Sequence, residues 1–133
     1  PVKIKRRFAT WFFLAAAPRG TKVVVDGQEI VDFQWLTPEL AICSHESGSL
    51  PLTPPTLVSL YDLRKYDTLS SLHSALKQRS PPQFFPKMIR QANQMTFLYH
   101  GDASYESGNL SLEGTVHRTI SQDGKFYYLS KRE

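Results

Sequence analysis

The chain has 133 residues, with 16 basic and 12 acidic side chains, a formal charge of +4, 41% apolar residues and one cysteine. These values fit a single domain over residues 1–133 with enough apolar material for a core, and they exclude a disulfide scaffold and a low-complexity tail. The longest apolar run, residues 11–17, is far short of the roughly 20 residues a spanning helix needs, so no membrane partner is expected. The basic start at residues 1–7 lacks the apolar segment and small-residue cleavage site of a secretory signal. One unpaired thiol fits a reducing compartment, and an intracellular, cytoplasmic protein is expected. Lys3, Lys5, Arg6 and Arg7 hold four of the basic charges, and the rest of the chain is nearly balanced. No helix-turn-helix, zinc-knuckle or RNA-recognition signature accompanies them, so nucleic acid is not an expected partner.

In chain order, residues 2–17 alternate and then run continuously apolar through Trp11, Phe12, Phe13 and Leu14, the pattern of a strand that ends buried on both faces. Residues 21–25 and 30–36 are two further extended runs, flanking Asp26-Gly27, a strong hairpin signal. Three strands are therefore expected before residue 37. Thr37-Pro38-Glu39 then offers a cap, a first-turn proline and an acidic residue suited to the helix dipole. A helix over 38–47, closed by Gly48, is predicted.

A rigid proline-rich loop is expected over residues 50–56. Beyond it Leu57, Leu60, Tyr61 and Arg64 share one helical face, and Asp67 is positioned to cap a further helix carrying Leu69, Leu72, His73 and Leu76. Residues 84–89 are apolar without a period and read as a docked connection. A strand over 95–99 is stopped at His100-Gly101-Asp102, and residues 115–120 and 125–129 flank Asp123-Gly124 as a second hairpin. The fold class is α+β with a mixed or antiparallel sheet, two or three helices after the first three strands, and a C-terminal hairpin.

The four histidines, His45, His73, His100 and His117, have no metal-ligand spacing among themselves or with Cys43. His73 falls on the apolar side of its predicted helix and is expected to be partly buried. His100 stands beside a glycine and a carboxylate at a strand end, a place where sites are often built, and a plain turn is the favoured reading. Cys43 is expected to pack rather than react, and no Gly-x-Ser-x-Gly elbow is present. The carboxylates are scattered, with no pair at neighbouring or i, i+3 and i+4 positions on one helix, so no catalytic or metal residues are assigned.

Three stretches carry a resemblance: Arg7-Phe8-Ala9-Thr10-Trp11-Phe12-Phe13-Leu14-Ala15, then Trp35-Leu36-Thr37-Pro38-Glu39 after the acidic Asp26–Asp32 stretch, then Leu50-Pro51-Leu52-Thr53-Pro54-Pro55-Thr56. In order and spacing the chain resembles the Nudix hydrolases, in the branch that includes coenzyme A diphosphatases. The tail resembles that branch too, with His100-Gly101-Asp102-Ala103-Ser104-Tyr105 followed by His117-Arg118-Thr119-Ile120 and the aromatic hairpin at Phe126-Tyr127-Tyr128.

The family's Gly-x5-Glu-x7-Arg-Glu-apolar-x-Glu-Glu-x-Gly-apolar box, which binds the divalent ions, does not occur in these residues. The resemblance therefore implies the portion following that box, a partial Nudix-like sheet lacking its N-terminal strands and box helix. It implies Mg2+ or Mn2+ for a complete domain, and little hydrolysis by this chain alone. It also implies a nucleotide-like or coenzyme A-like ligand. Arg6 and Arg7 would meet phosphates, Phe8 or Trp35 would stack on a base, and Pro54, Pro55 and Thr56 would border the pocket; in the plain reading Trp35 is core. Uncovered edges would call for a homodimer or an upstream segment. The other reading is a non-catalytic binding or assembly module on the same scaffold.

Overall fold

The computed structural model describes residues 9–131. Helices α1 (Pro38–Ser47), α2 (Pro54–Leu63) and α3 (Leu69–Lys77) precede strands β1 (Lys87–Gln91), β2 (Gln94–Leu98), β3 (Val116–Gln122) and β4 (Lys125–Lys131). The strands form one antiparallel sheet in the order β1-β2-β3-β4, with Met88 opposite Phe97, Phe97 opposite Thr119, and Thr119 opposite Tyr128. The fold is thus α+β, as expected, and its sheet is antiparallel throughout.

Helix α1 occupies its expected residues for the expected reasons. The Thr37 hydroxyl accepts the Leu40 N–H at 3.2 Å, Pro38 occupies the first turn, and Gly48 closes the helix in the left-handed region at φ 87°. A Cβ on Gly48 would lie 3.1 Å from Lys125 Nζ, a flexible terminus able to move. The backbone conformation is therefore the main obstacle to substitution. Gly48→Ala should lower stability by about 1 kcal/mol, read as a shift in the urea midpoint with unchanged slope.

Helix α2 begins earlier than expected, because Pro54 and Pro55 preset the φ of a first turn in which missing N–H groups cost nothing. The cap of α3 is Thr68 rather than Asp67: its hydroxyl accepts the Ser71 N–H at 3.1 Å, and the Ser71 hydroxyl accepts the Thr68 N–H in return. Asp62, at the end of α2, pairs with Lys65 and with Arg79 beyond α3. Burial pushes the Asp62 carboxyl up, but these two cations outweigh it and hold it below its ordinary range. The core contains Ala41 and Ile42 from α1, Leu57 and Val58 from α2, Leu72 from α3, Leu98 from β2, and Tyr99 directly after it.

Several expectations are corrected. Residues 9–36 contain no strand, and the start of the first expected strand lies outside the described residues. Asp26-Gly27 does turn the chain, with Asp26 Oδ1 accepting from the N–H groups of Gln28, Glu29 and Ile30, which holds its carboxyl below the ordinary range. The flanking runs do not pair as strands, however, and most of their apolar residues are exposed, Val24 at 88%, as is Phe13 in the preceding run at the same value. Trp35, expected in the core, is 66% exposed.

The connection expected at 84–89 instead gives β1, an edge strand that starts directly after Pro86, where a missing N–H is tolerated. Cys43 and His73 are exposed because α1 and α3 turn their other faces inward, through Ala41, Ile42 and His45 and through Leu72. The Asp123-Gly124 hairpin forms as expected, with both residues at positive φ, 51° and 77°, the geometry that a two-residue turn between twisted strands requires.

Candidate ligand-binding site

Of the sequence-derived site residues, Arg6, Arg7 and Phe8 lie outside the described residues. Pro54, Pro55 and Thr56 form the first turn of α2, with Pro55 exposed and Pro54 and Thr56 half-buried. Helix α2 packs against α1 and β4, so this turn sits where the helices meet the edge of the sheet.

The segment leading into that turn is poor in backbone donors, since Pro51, Pro54 and Pro55 have no N–H. His45 makes up part of the shortfall. The residue is 4% exposed; Nε2 lies 2.8 Å from the carbonyl of Phe126 in β4 and must donate to it. Nδ1 lies 3.0 Å from the Leu52 N and 3.1 Å from the Leu50 carbonyl; in the neutral ring it is an acceptor, and its partner is then the Leu52 N–H. One side chain thus joins α1, the proline segment and β4.

Clefts open on both sides of this histidine. One, of about 150 Å³, is lined by His45, Glu46, Leu57, Tyr61 and Tyr128. The other, of about 320 Å³, runs between Pro51 and Leu52 and the β3–β4 turn at Asp123, Gly124 and Lys125. Tyr61 donates to Glu46 Oε1 at 3.3 Å and meets Tyr128 edge-on at 5.1 Å. Burial, and next the Glu46 charge, push the Tyr61 phenol above its ordinary value, so it stays a donor at neutral pH. The Arg64 guanidinium lies 4.2 Å from the Tyr61 ring centre.

On the other face of the sheet, the loop following β2 is fastened by Asp102. Its two oxygens accept from Arg118 Nη2 at 2.7 Å, Arg118 Nε at 2.8 Å, Ser104 N–H at 2.9 Å and His117 N–H at 2.7 Å. Burial raises this carboxyl, but the Arg118 hydrogen bond and the two backbone N–H groups outweigh it and hold it below the ordinary range. His100 sits in the turn, as read from the sequence, and its carbonyl lies 2.8 Å from His117 Nδ1.

Sequence reasoning assigned no role to His45, although the spacing Ala41, Ile42, His45 marks one face of α1 and was the available signal. Asp102 and Arg118 both stand in the tail that carries the resemblance, but nothing local to either marks them as a pair. Among the described residues no group of three or more His, Cys, Asp or Glu side chains is arranged to hold a metal ion, so these residues do not fit the divalent ion that the resemblance implies. Among them, too, no helix is long and apolar enough to cross a membrane.

The class defined by this architecture is an α+β protein with two clefts between a proline-led helix and a sheet edge. The chain is 30% identical over 131 residues to acyl-coenzyme A diphosphatase NUDT19 of Homo sapiens, covering 92% of this chain and 35% of that protein. It is 26% identical over 136 residues to acyl-coenzyme A diphosphatase NUDT19 of Xenopus laevis, covering 93% and 36%. The chain therefore spans about a third of the length of the curated relatives it matches. No family model matches the chain, and no solved structure matches it significantly.

Proposed function

We propose that this chain is the substrate-recognition portion of a Nudix-type hydrolase of coenzyme A-like diphosphates, a single domain corresponding to the region after the ion-binding box. Likeness to two acyl-coenzyme A diphosphatases over more than nine-tenths of the chain carries this reading. Arg6 and Arg7 meet the diphosphate and Phe8 stacks on the adenine, while Pro54, Pro55 and Thr56 border the ligand. Carboxylates that would hold Mg2+ or Mn2+ belong to residues other than 9–131. The chain alone binds without turnover, because positioning by itself does not offset charge developing on the phosphorus oxygens.

Titration calorimetry with coenzyme A tests this proposal. Saturable binding is expected, weakened about tenfold or more by Arg7→Ala, since a hydrogen bond to a charged group contributes about 1.5–3 kcal/mol. Heat traces indistinguishable from dilution would end the proposal. A second reading, a non-catalytic binding or assembly module, is favoured by the lack of an ion-binding set among the described residues. The protein isolated from its own cell at native length separates the two. Metal-dependent release of 3′,5′-adenosine diphosphate supports the hydrolase, and binding without release supports the module.

A further inference from the structure

We infer that His45 is a positioning residue, setting the Pro54-Pro55-Thr56 turn for ligand by holding the segment before it; the inference rests on the reading that this turn borders a coenzyme A-type ligand. Between Pro51 and Thr56 only Leu52, Thr53 and Thr56 have a backbone N–H. Ordinary loop hydrogen bonding therefore offers little to fix the segment. The backbone bonds closing α1 end at the Leu50 N–H, which donates to the Ser44 carbonyl at 3.0 Å. The next backbone groups, the Leu50 carbonyl and the Leu52 N–H, both lie against His45 Nδ1, at 3.1 and 3.0 Å, and an unprotonated Nδ1 takes the Leu52 N–H as its partner.

The opposite ring nitrogen donates to Phe126 in β4, which lies at an edge of the sheet. A carbonyl there that points away from its neighbouring strand needs a partner other than a strand. The imidazole is suited to this place because it is rigid and, in one tautomer, presents an acceptor and a donor on opposite sides of a buried ring. The turn is thereby referenced to the sheet, and a ligand that meets Pro55 and Thr56 finds them already ordered, which lowers the entropic cost of binding.

Three readouts test this on the whole chain. The ¹⁵N spectrum of wild-type His45 should show a protonated Nε2 and an unprotonated Nδ1; a protonated Nδ1, which would bond the Leu50 carbonyl and leave the Leu52 N–H unheld, overturns the inference without any variant. His45→Phe fills the same space but removes both hydrogen bonds, and hydrogen exchange at the Leu52 amide should rise about tenfold or more. Coenzyme A affinity should fall about tenfold with it, and His45→Gln, which retains a donor and an acceptor, should recover part of both. Unchanged Leu52 exchange in a folded His45→Phe chain shows that the ring does not hold the segment. Faster exchange with unchanged affinity shows that holding it does not position ligand. If the wild type binds no coenzyme A, the functional reading fails, and the tautomer and exchange results still decide whether His45 orders the turn.

Discussion

Replacing Arg118 by methionine should destabilise the chain by about 3–5 kcal/mol, because it strips the guanidinium from a buried carboxylate without removing the carboxylate. The Asp102 side chain is fully enclosed, at 0% exposure, and Arg118 is 12% exposed. Two of the four hydrogen bonds to the Asp102 oxygens come from that guanidinium. A loss of this size is a large part of the 5–15 kcal/mol that typically separates folded from unfolded domains.

The sign of the pH effect follows from the lowered carboxyl. The folded Asp102 pKa is below its ordinary value of 3.8, so its contribution is complete above that value and is lost as pH falls through it toward the folded pKa. Urea unfolding at pH 7 and at pH 3 should therefore show a gap between wild type and Arg118→Met that narrows in acid. A gap below about 1 kcal/mol at pH 7, or one independent of pH, would contradict the assignment. Replacing both partners by leucine should cost less than Arg118→Met alone, since no charge is then left buried.

Leu57→Ala is the second large effect, expected at about 2–5 kcal/mol. Leu57 is 1% exposed and follows directly after Pro54, Pro55 and Thr56, so its side chain seats the start of α2 against the rest of the fold. The deletion widens the cleft that Leu57 lines into the core, and its cost depends on how far α2 settles into the gap. Leu69→Ala on α3 is the matched control, because Leu69 is 45% exposed and should cost well under half as much. Equal urea midpoints for Leu57→Ala and Leu69→Ala would mean that α2 is not anchored where described.

What could be read from the sequence was local chemistry. Thr37, Pro38 and Gly48 define both ends of α1 through a hydroxyl, a fixed φ and a left-handed residue, all within the helix's own neighbourhood. Asp123-Gly124 specifies its hairpin in the same way. Strand β1 was missed because a five-residue edge strand after a proline leaves too little alternation to recognise. Residues 21–36 have strand-like composition, but a strand exists through its neighbours, and no described residue pairs with these as a strand. The site's two organising contacts escaped for a related reason. His45 and Phe126 are 81 residues apart and Asp102 and Arg118 are 16 apart, and neither separation leaves a periodic trace.

The exposed stretch before α1 also gives the protein a built-in optical label. Both tryptophans, Trp11 and Trp35, lie in it, at 77% and 66% exposure, whereas the helices and sheet contain tyrosine and phenylalanine only. Emission excited selectively in the indole rings therefore reports on residues 9–36 and is silent about the helices and the sheet. A blue shift on mixing with any candidate partner would register coverage of that stretch, while the far-ultraviolet signal of the helices served as an independent channel.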